Sequence, residues 1–124
     1  MGSMRYNYHE NNSATIIFRG SDSPKLCFKI DSGASRTIMP QRLFKHFKPH
    51  IDIKTGKPIE LKSASGHTFF GYEHTIFVIF EGMHKTFIKV VFCEMEKYLL
   101  GLDTIRERFG GIAFGKNHFD ITYI

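Results

Sequence analysis

Residues 74–92 read HTIFVIF-EGMH-KTFIKVVF, two runs of β-branched and aromatic residues joined by a short Gly-containing break. Such runs favour paired strands over helices, because branched and flat side chains pack well on a pleated surface. The same grammar recurs along the chain. ATIIFRG (14–20), the turn SDSP (21–24) and KLCFKI (25–30) predict a first hairpin. PIELKSA (58–64) and HTFFGYEHTIFVIF (67–80) flank Ser65-Gly66, which predicts a hairpin tip. The last segment, IAFGKNHFDITYI, returns to strand character and sets Phe119, Ile121 and Tyr123 on one face. Helical spacing occurs over 41–48 (Leu43, Phe44, Phe47, ended by Pro49) and again over 98–111. In the second segment Asp103 is placed to cap a short helix and Gly110-Gly111 to stop it. There is no regular alternation of helix and strand and no internal repeat. The expected class is a small all-β domain, barrel or sandwich-like.

The chain has 124 residues, enough for one domain, and 42% are hydrophobic, enough for a core. Met1-Gly2-Ser3 ahead of Met4 reads as a tag remnant, and the polar MRYNYHENNS as a flexible arm. The domain is therefore expected over 14–124, after an arm over 1–13. Asn11-Asn12-Ser13 is a formal glycosylation sequon, of little meaning where no secretory leader is read. No apolar stretch is long enough to cross a bilayer as a helix. The net charge is +5, but the Lys and Arg residues are spread along the chain. No run of them, ribonucleoprotein motif or zinc-finger spacing is present, so nucleic acid is not expected as a partner. Cys27 and Cys93 lie in apolar runs and are expected to be reduced core thiols.

The stretch FKIDSGASRTIMP (28–40) sets a separate problem. An apolar run climbs into Asp31, breaks into small residues, and becomes apolar again at Ile38. A carboxylate sent toward a core is costly unless it is paired, neutralised or used. Ser32-Gly33-Ala34-Ser35 allows a tight turn with close backbone approach, so the acid is expected at a strand tip among backbone N–H groups. Taken alone, D-S-G reads as a turn whose acid satisfies its own backbone.

Two further features change that reading. Tyr98-Leu99-Leu100-Gly101 places an apolar pair and a Gly before a short helix, and the Ser65-Gly66 hairpin lies between it and Asp31. With these, the sequence resembles the retropepsins, the aspartic proteases of retroviruses and LTR retrotransposons, over roughly Ala14 to Asp120. DSGASRTIMPQRLFKHFKP is similar to copia-type proteases and YLLGLD to the gypsy-type and retroviral pattern. The resemblance implies a closed small barrel with a flap hairpin and one short C-terminal helix. It implies an endopeptidase in which two aspartates share one proton and activate water, with no metal or other cofactor. The chain has one D-S-G, so a symmetric homodimer is implied, Asp31 meeting its twin on the axis. Ser32 then ties the two active-site loops together. Gly33 and Ala34 complete the loop, and Ser35 and Arg36 lie beside the substrate. Ala64, Ser65, Gly66 and His67 form the flap, and Leu99 and Leu100 an apolar pocket wall. The substrate is implied to be a Gag/Pol polyprotein in a cytoplasmic retroelement particle, with no membrane partner.

Two departures from the family stand out. Many retroviral members pair an acid after D-T-G-A with an Arg after the late Gly; here those positions are Ser35 and Leu102. The members also interleave their termini into a sheet, for which HFDITYI could supply a strand and the polar N-terminal arm a weaker one. The rival to the enzyme is an inactive protease-fold module that binds protein or nucleic acid. Other chemistries lack a pattern. His46 and His50 are separated by a helix-breaking Pro49, and His9, His67, His74, His84 and His118 form no ligand cluster. No G-x-S-x-G elbow is present, neither thiol has an activating setting, and FGGIAFG is no phosphate loop.

Overall fold

The structure is a computed structural model that describes residues 2–8 and 13–124. Its strands are β1 (Ser3–Asn7), β2 (Thr15–Arg19), β3 (Leu26–Ile30), β4 (Ile38–Pro40), β5 (Lys57–Lys62), β6 (Thr68–Phe80), β7 (His84–Cys93), β8 (Leu99–Leu100), β9 (Phe109–Phe114) and β10 (His118–Tyr123). Two 3-10 helices, Gln41–His46 and Ile53–Thr55, follow β4, and one α-helix, α1 (Leu102–Arg108), follows β8. The all-β expectation holds. No helix among the described residues is long and apolar enough to cross a membrane.

The long β6–β7 hairpin is the spine, paired in register from Gly71↔Cys93 to Phe80↔His84. The larger sheet runs β2-β3-β8-β4-β7-β6-β5, and β2 also pairs with β6 through Phe18↔Phe80 and Arg19↔Ile79. That last pairing closes six strands into a barrel and leaves β5 as an outer strand on β6. Closure removes the free edges within the barrel, and only β5 keeps one. Phe18, Phe28, Phe80 and Phe92 fill the interior with Met39 and Leu100, and the Phe18 and Phe28 rings stack at 4.1 Å. Burying six such side chains contributes roughly 1.5–3 kcal/mol each.

A second sheet, β1-β10-β9, packs on the barrel. Phe119, Ile121 and Tyr123 are buried, as the alternation predicts. Their strand nevertheless lies between two neighbours of its own chain. Ser3–Asn7, expected as part of a flexible arm, forms β1 and pairs with β10 from Ser3↔Thr122 to Asn7↔His118. Tyr6 supplies the reason, since it is buried and its hydroxyl donates to the Glu81 carbonyl at 2.9 Å. With β1 and β9 on its two sides, β10 has no edge left for the termini of another copy. The Asn11-Asn12 part of the sequon and His9 lie outside the described residues.

Three local expectations are corrected. The helix is preceded by Gly101 rather than capped by Asp103, which stands in its first turn. It ends before Phe109, and Gly110-Gly111 belong to β9. β3 is buried on one face only, because β2 and β8 flank it while Cys27 and Lys29 look outward. Cys27 is therefore an exposed thiol, whereas Cys93 is buried.

Candidate active site

Asp31 stands one residue beyond β3. Its N–H donates to the Leu100 carbonyl at 3.0 Å, extending the parallel β3–β8 ladder. The chain then reverses at once. The Ala34 N–H donates to the Asp31 carbonyl at 3.1 Å, and the Gly33 N–H to Asp31 Oδ1 at 2.9 Å. The carboxylate is thus fixed at the strand tip by its own turn, as small residues there allow. It is half-buried rather than sunk in the core. One oxygen serves the turn, and among the described residues the other makes no hydrogen bond within the chain.

The loop is anchored from below by the late Gly segment. The Leu102 N–H donates to the Ala34 carbonyl at 2.8 Å. A Cβ on Gly101 would lie 2.3 Å from the Arg36 carbonyl oxygen and 2.9 Å from that of Ala34, so only glycine fits between the two loops. Thr37, fully buried, is the junction. Its hydroxyl donates to Asp103 Oδ1 at 2.8 Å and accepts from the Gly101 N–H at 3.1 Å. Thr104, also buried, lies 2.7 Å from it. Asp103 Oδ1 also accepts the Thr104 N–H at 2.8 Å, while Oδ2 is buried with no hydrogen-bond partner among the described residues. Burial pushes the Asp103 carboxyl above its ordinary range, against the pull of Thr37 and the Thr104 N–H. Sequence reasoning missed this network. Its one signal was a hydroxyl, Thr37, opening the apolar run TIMP.

A cleft of about 430 Å³ opens beside Asp31. Of the residues expected at the site, it brings together Asp31, Gly33, Ala34, Ser35, Ala64 and Leu99, with Arg36 at one side. Its apolar floor comes from Ile38, Leu61, Phe69 and Met95, none of which sequence reasoning singled out. Ile38, Leu61, Phe69, Met95 and Leu99 belong to one apolar cluster. The signal for Leu61 and Phe69 was their facing position in the predicted hairpin; β5–β6 pairs them directly.

The other expected residues lie elsewhere. Leu100 is fully buried in the main core and does not reach the cleft. Ser32 is exposed and outside the cleft lining. Ser65, Gly66 and His67 are exposed at the β5–β6 tip, where the Gly66 N–H donates to the Ser63 carbonyl at 3.0 Å and Gly66 adopts φ +88°. That left-handed backbone suits glycine.

Arg36 is not a free guanidinium facing substrate. It donates to Glu73 on β6 at 2.7 Å, in a pair whose carboxylate is 10% exposed. The ion pair expected at Ser35 and Leu102 is thus absent, and a different pair joins the Asp31 loop to β6. The loose cations on the cleft walls are Lys62 and Lys97, with Glu60 near them. Among the described residues, no three His, Cys, Asp or Glu side chains converge as a metal site would require.

No protein-family model matches the chain, and no curated protein matches its sequence. Solved structures do. It is similar to the crystal structure of a retropepsin-like aspartic protease from Rickettsia conorii, with a TM-score of 0.61 and 16% identity over 97% of this chain and 90% of that one. At that identity the likeness is one of fold: a retropepsin-like closed barrel with one short helix.

Proposed function

We propose that this protein is an aspartic endopeptidase that works as a symmetric homodimer. The observation that carries the proposal is Asp31, held by its own turn at the mouth of a cleft with an apolar floor. One chain supplies one such carboxylate, and the chemistry needs two. Two copies meeting at the D-S-G-A loops would place two carboxylates in contact, where both cannot be ionised and one proton is shared. The ionised member takes a proton from water as the water oxygen attacks the scissile carbonyl. The protonated member donates to the carbonyl oxygen, giving a tetrahedral diol. Return of a proton to the leaving nitrogen breaks the C–N bond and restores the pair.

In this reading Ser32, exposed on each loop, bonds across the two-fold axis. Gly33 and Ala34 present backbone to the substrate. The Ala64–His67 tip closes over it and excludes water. Leu99, with Ile38, Leu61 and Phe69, receives an apolar side chain next to the cut bond. The natural substrate would be a retroelement Gag/Pol polyprotein in a cytoplasmic particle.

The test is cleavage of a polypeptide panel from acidic to neutral pH by wild type and by Asp31→Asn. Cleavage lost in the variant while the dimer persists supports the proposal; cleavage equal in both refutes it. Activity per chain should also fall on dilution as dimers separate. A chain that sediments as a monomer with undiminished specific activity would exclude the shared site.

A further inference from the structure

The cations that are scattered in the sequence are gathered by the fold. A groove of about 490 Å³ lies on the outside of the β6–β7 ribbon and shares no lining residue with the cleft at Asp31. Its floor is the cross-strand pair Phe77 and Phe87, whose rings are 5.5 Å apart at 66°. Phe87 is 54% exposed, an unusual state for a large aromatic side chain in the middle of a hairpin. One wall is the 3-10 helix end, with Lys45, His46 and Lys48. On the strand itself Lys85 and Lys89 flank Phe87 on the same outward face. Arg108 adds its guanidinium from the side, donating to the Phe87 carbonyl at 2.7 Å. The opposing charges are few: Asp22 lines the groove, and Glu107 lies 3.8 Å from Lys89. Lys45, Lys48 and Lys85 are in no ion pair among the described residues.

From this juxtaposition we infer that the groove holds single-stranded nucleic acid, with a base against Phe87 and phosphates against Lys45, Lys48 and Lys85. With Phe47 and Pro49 the groove has four apolar side chains, and its charge selects the occupant, because lysines stand on both sides of the exposed ring. A base has a flat π-face for the exposed ring and carries its phosphate within reach of the lysines on either side. The sequence shows no basic run because three separate elements supply the charge.

The experiment is fluorescence anisotropy of the full chain with a fluorescein-labelled homopolymeric oligouridylate, from 50 to 200 mM salt. Binding should weaken with salt on a log–log slope of about −2, as expected for three phosphates on a single strand. Phe87→Ala should weaken binding about tenfold with the slope unchanged. Lys45→Glu with Lys48→Glu should weaken it further and flatten the slope. Lys116→Glu, outside the groove, should have little effect. Absence of binding at 50 mM salt overturns the inference. So does a loss in Lys116→Glu as large as in the groove variants, or polyglutamate competing as well as RNA while Phe87→Ala binds normally. Either of the last two results would make the surface a general anion attractor.

Discussion

Asp103→Asn should stabilise the protein at neutral pH. The side chain accepts two hydrogen bonds at Oδ1, each 2.8 Å, and has a buried Oδ2 with no partner. Asparagine keeps the accepting oxygen and replaces an orphaned, partly charged oxygen by a neutral amide. An unsatisfied buried polar group costs about 1–3 kcal/mol, and more when it carries charge. Some of this remains with the amide, and the two retained bonds lose their ionic character. The net gain expected at pH 7 is about 1 kcal/mol, or about 4 °C in melting temperature for a domain of this size.

The pH dependence is the stricter part of the test. Burial raises the Asp103 pKa in the folded state, so its favourable contribution is present below the unfolded value of 3.8 and is lost as pH rises through the folded value. The advantage of Asp103→Asn must therefore grow from pH 4 to pH 7. His84 acts in the opposite direction. Its burial lowers its pKa, so its contribution is present above the unfolded value of 6.5 and is lost as pH falls toward the folded value. Taking the difference between variant and wild type in urea unfolding cancels this common term. An advantage that is constant with pH, or a variant less stable than wild type at pH 7, would refute the argument that Asp103 is held against its charge.

Three other outcomes follow from the same geometry. Arg36→Met should cost about 3 kcal/mol, because it strands the nearly buried Glu73 carboxylate; Arg36→Met with Glu73→Leu should cost much less, a non-additivity readable in a double-mutant cycle by denaturant melts. Gly101→Ala should cost about 3 kcal/mol, since the new Cβ meets backbone oxygens that cannot turn aside, while Gly111→Ala, with nothing within 4 Å, should stay within about 0.5 kcal/mol. Tyr6→Phe should cost about 2 kcal/mol in thermal unfolding and Tyr123→Phe about 1, because Tyr6 bonds both Tyr123 and the Glu81 carbonyl, whereas among the described residues the Tyr123 hydroxyl is hydrogen-bonded to Tyr6 alone.

The contrast between Asp31 and its supports explains how much could be read in advance. The hairpins of 14–30, 58–80 and 74–92 were legible because strand pairing between neighbours is written in alternation and turn chemistry, both local. Asp31 was legible for the same reason: its turn is made by Gly33 and Ala34, two and three residues away. What escaped was non-local. Thr37 meets Asp103, Arg36 meets Glu73, and Tyr6 meets Tyr123 across most of the chain. None of these pairs has a periodicity that would announce it. β1 escaped for a related reason, because a polar segment with one buried Tyr has too little pattern to read as a strand.

The non-local ties also stiffen the loop that carries Asp31. In the proposed enzyme the Asp31 carboxylate must be immobile to within a fraction of an ångström, and a loop of small residues supplies little stiffness by itself. Here the stiffness comes from beneath the loop, through Gly101 and Thr37, and from its far end, through Arg36 and Glu73. The second tie reaches β6 at Glu73, which pairs with Lys57 on β5, the strand that leads to the hairpin tip. The Asp31 loop and the β5–β6 hairpin, the flap of the proposed enzyme, are therefore parts of one mechanical unit. Loosening the Arg36–Glu73 pair would let the flap and the carboxylate move independently, without touching either. In the proposed enzyme, Glu73→Gln would then lower kcat more than it raises KM, because a misplaced carboxylate is felt mainly in the transition state. A variant that changed KM alone would assign the pair to substrate binding and break the link between flap and loop.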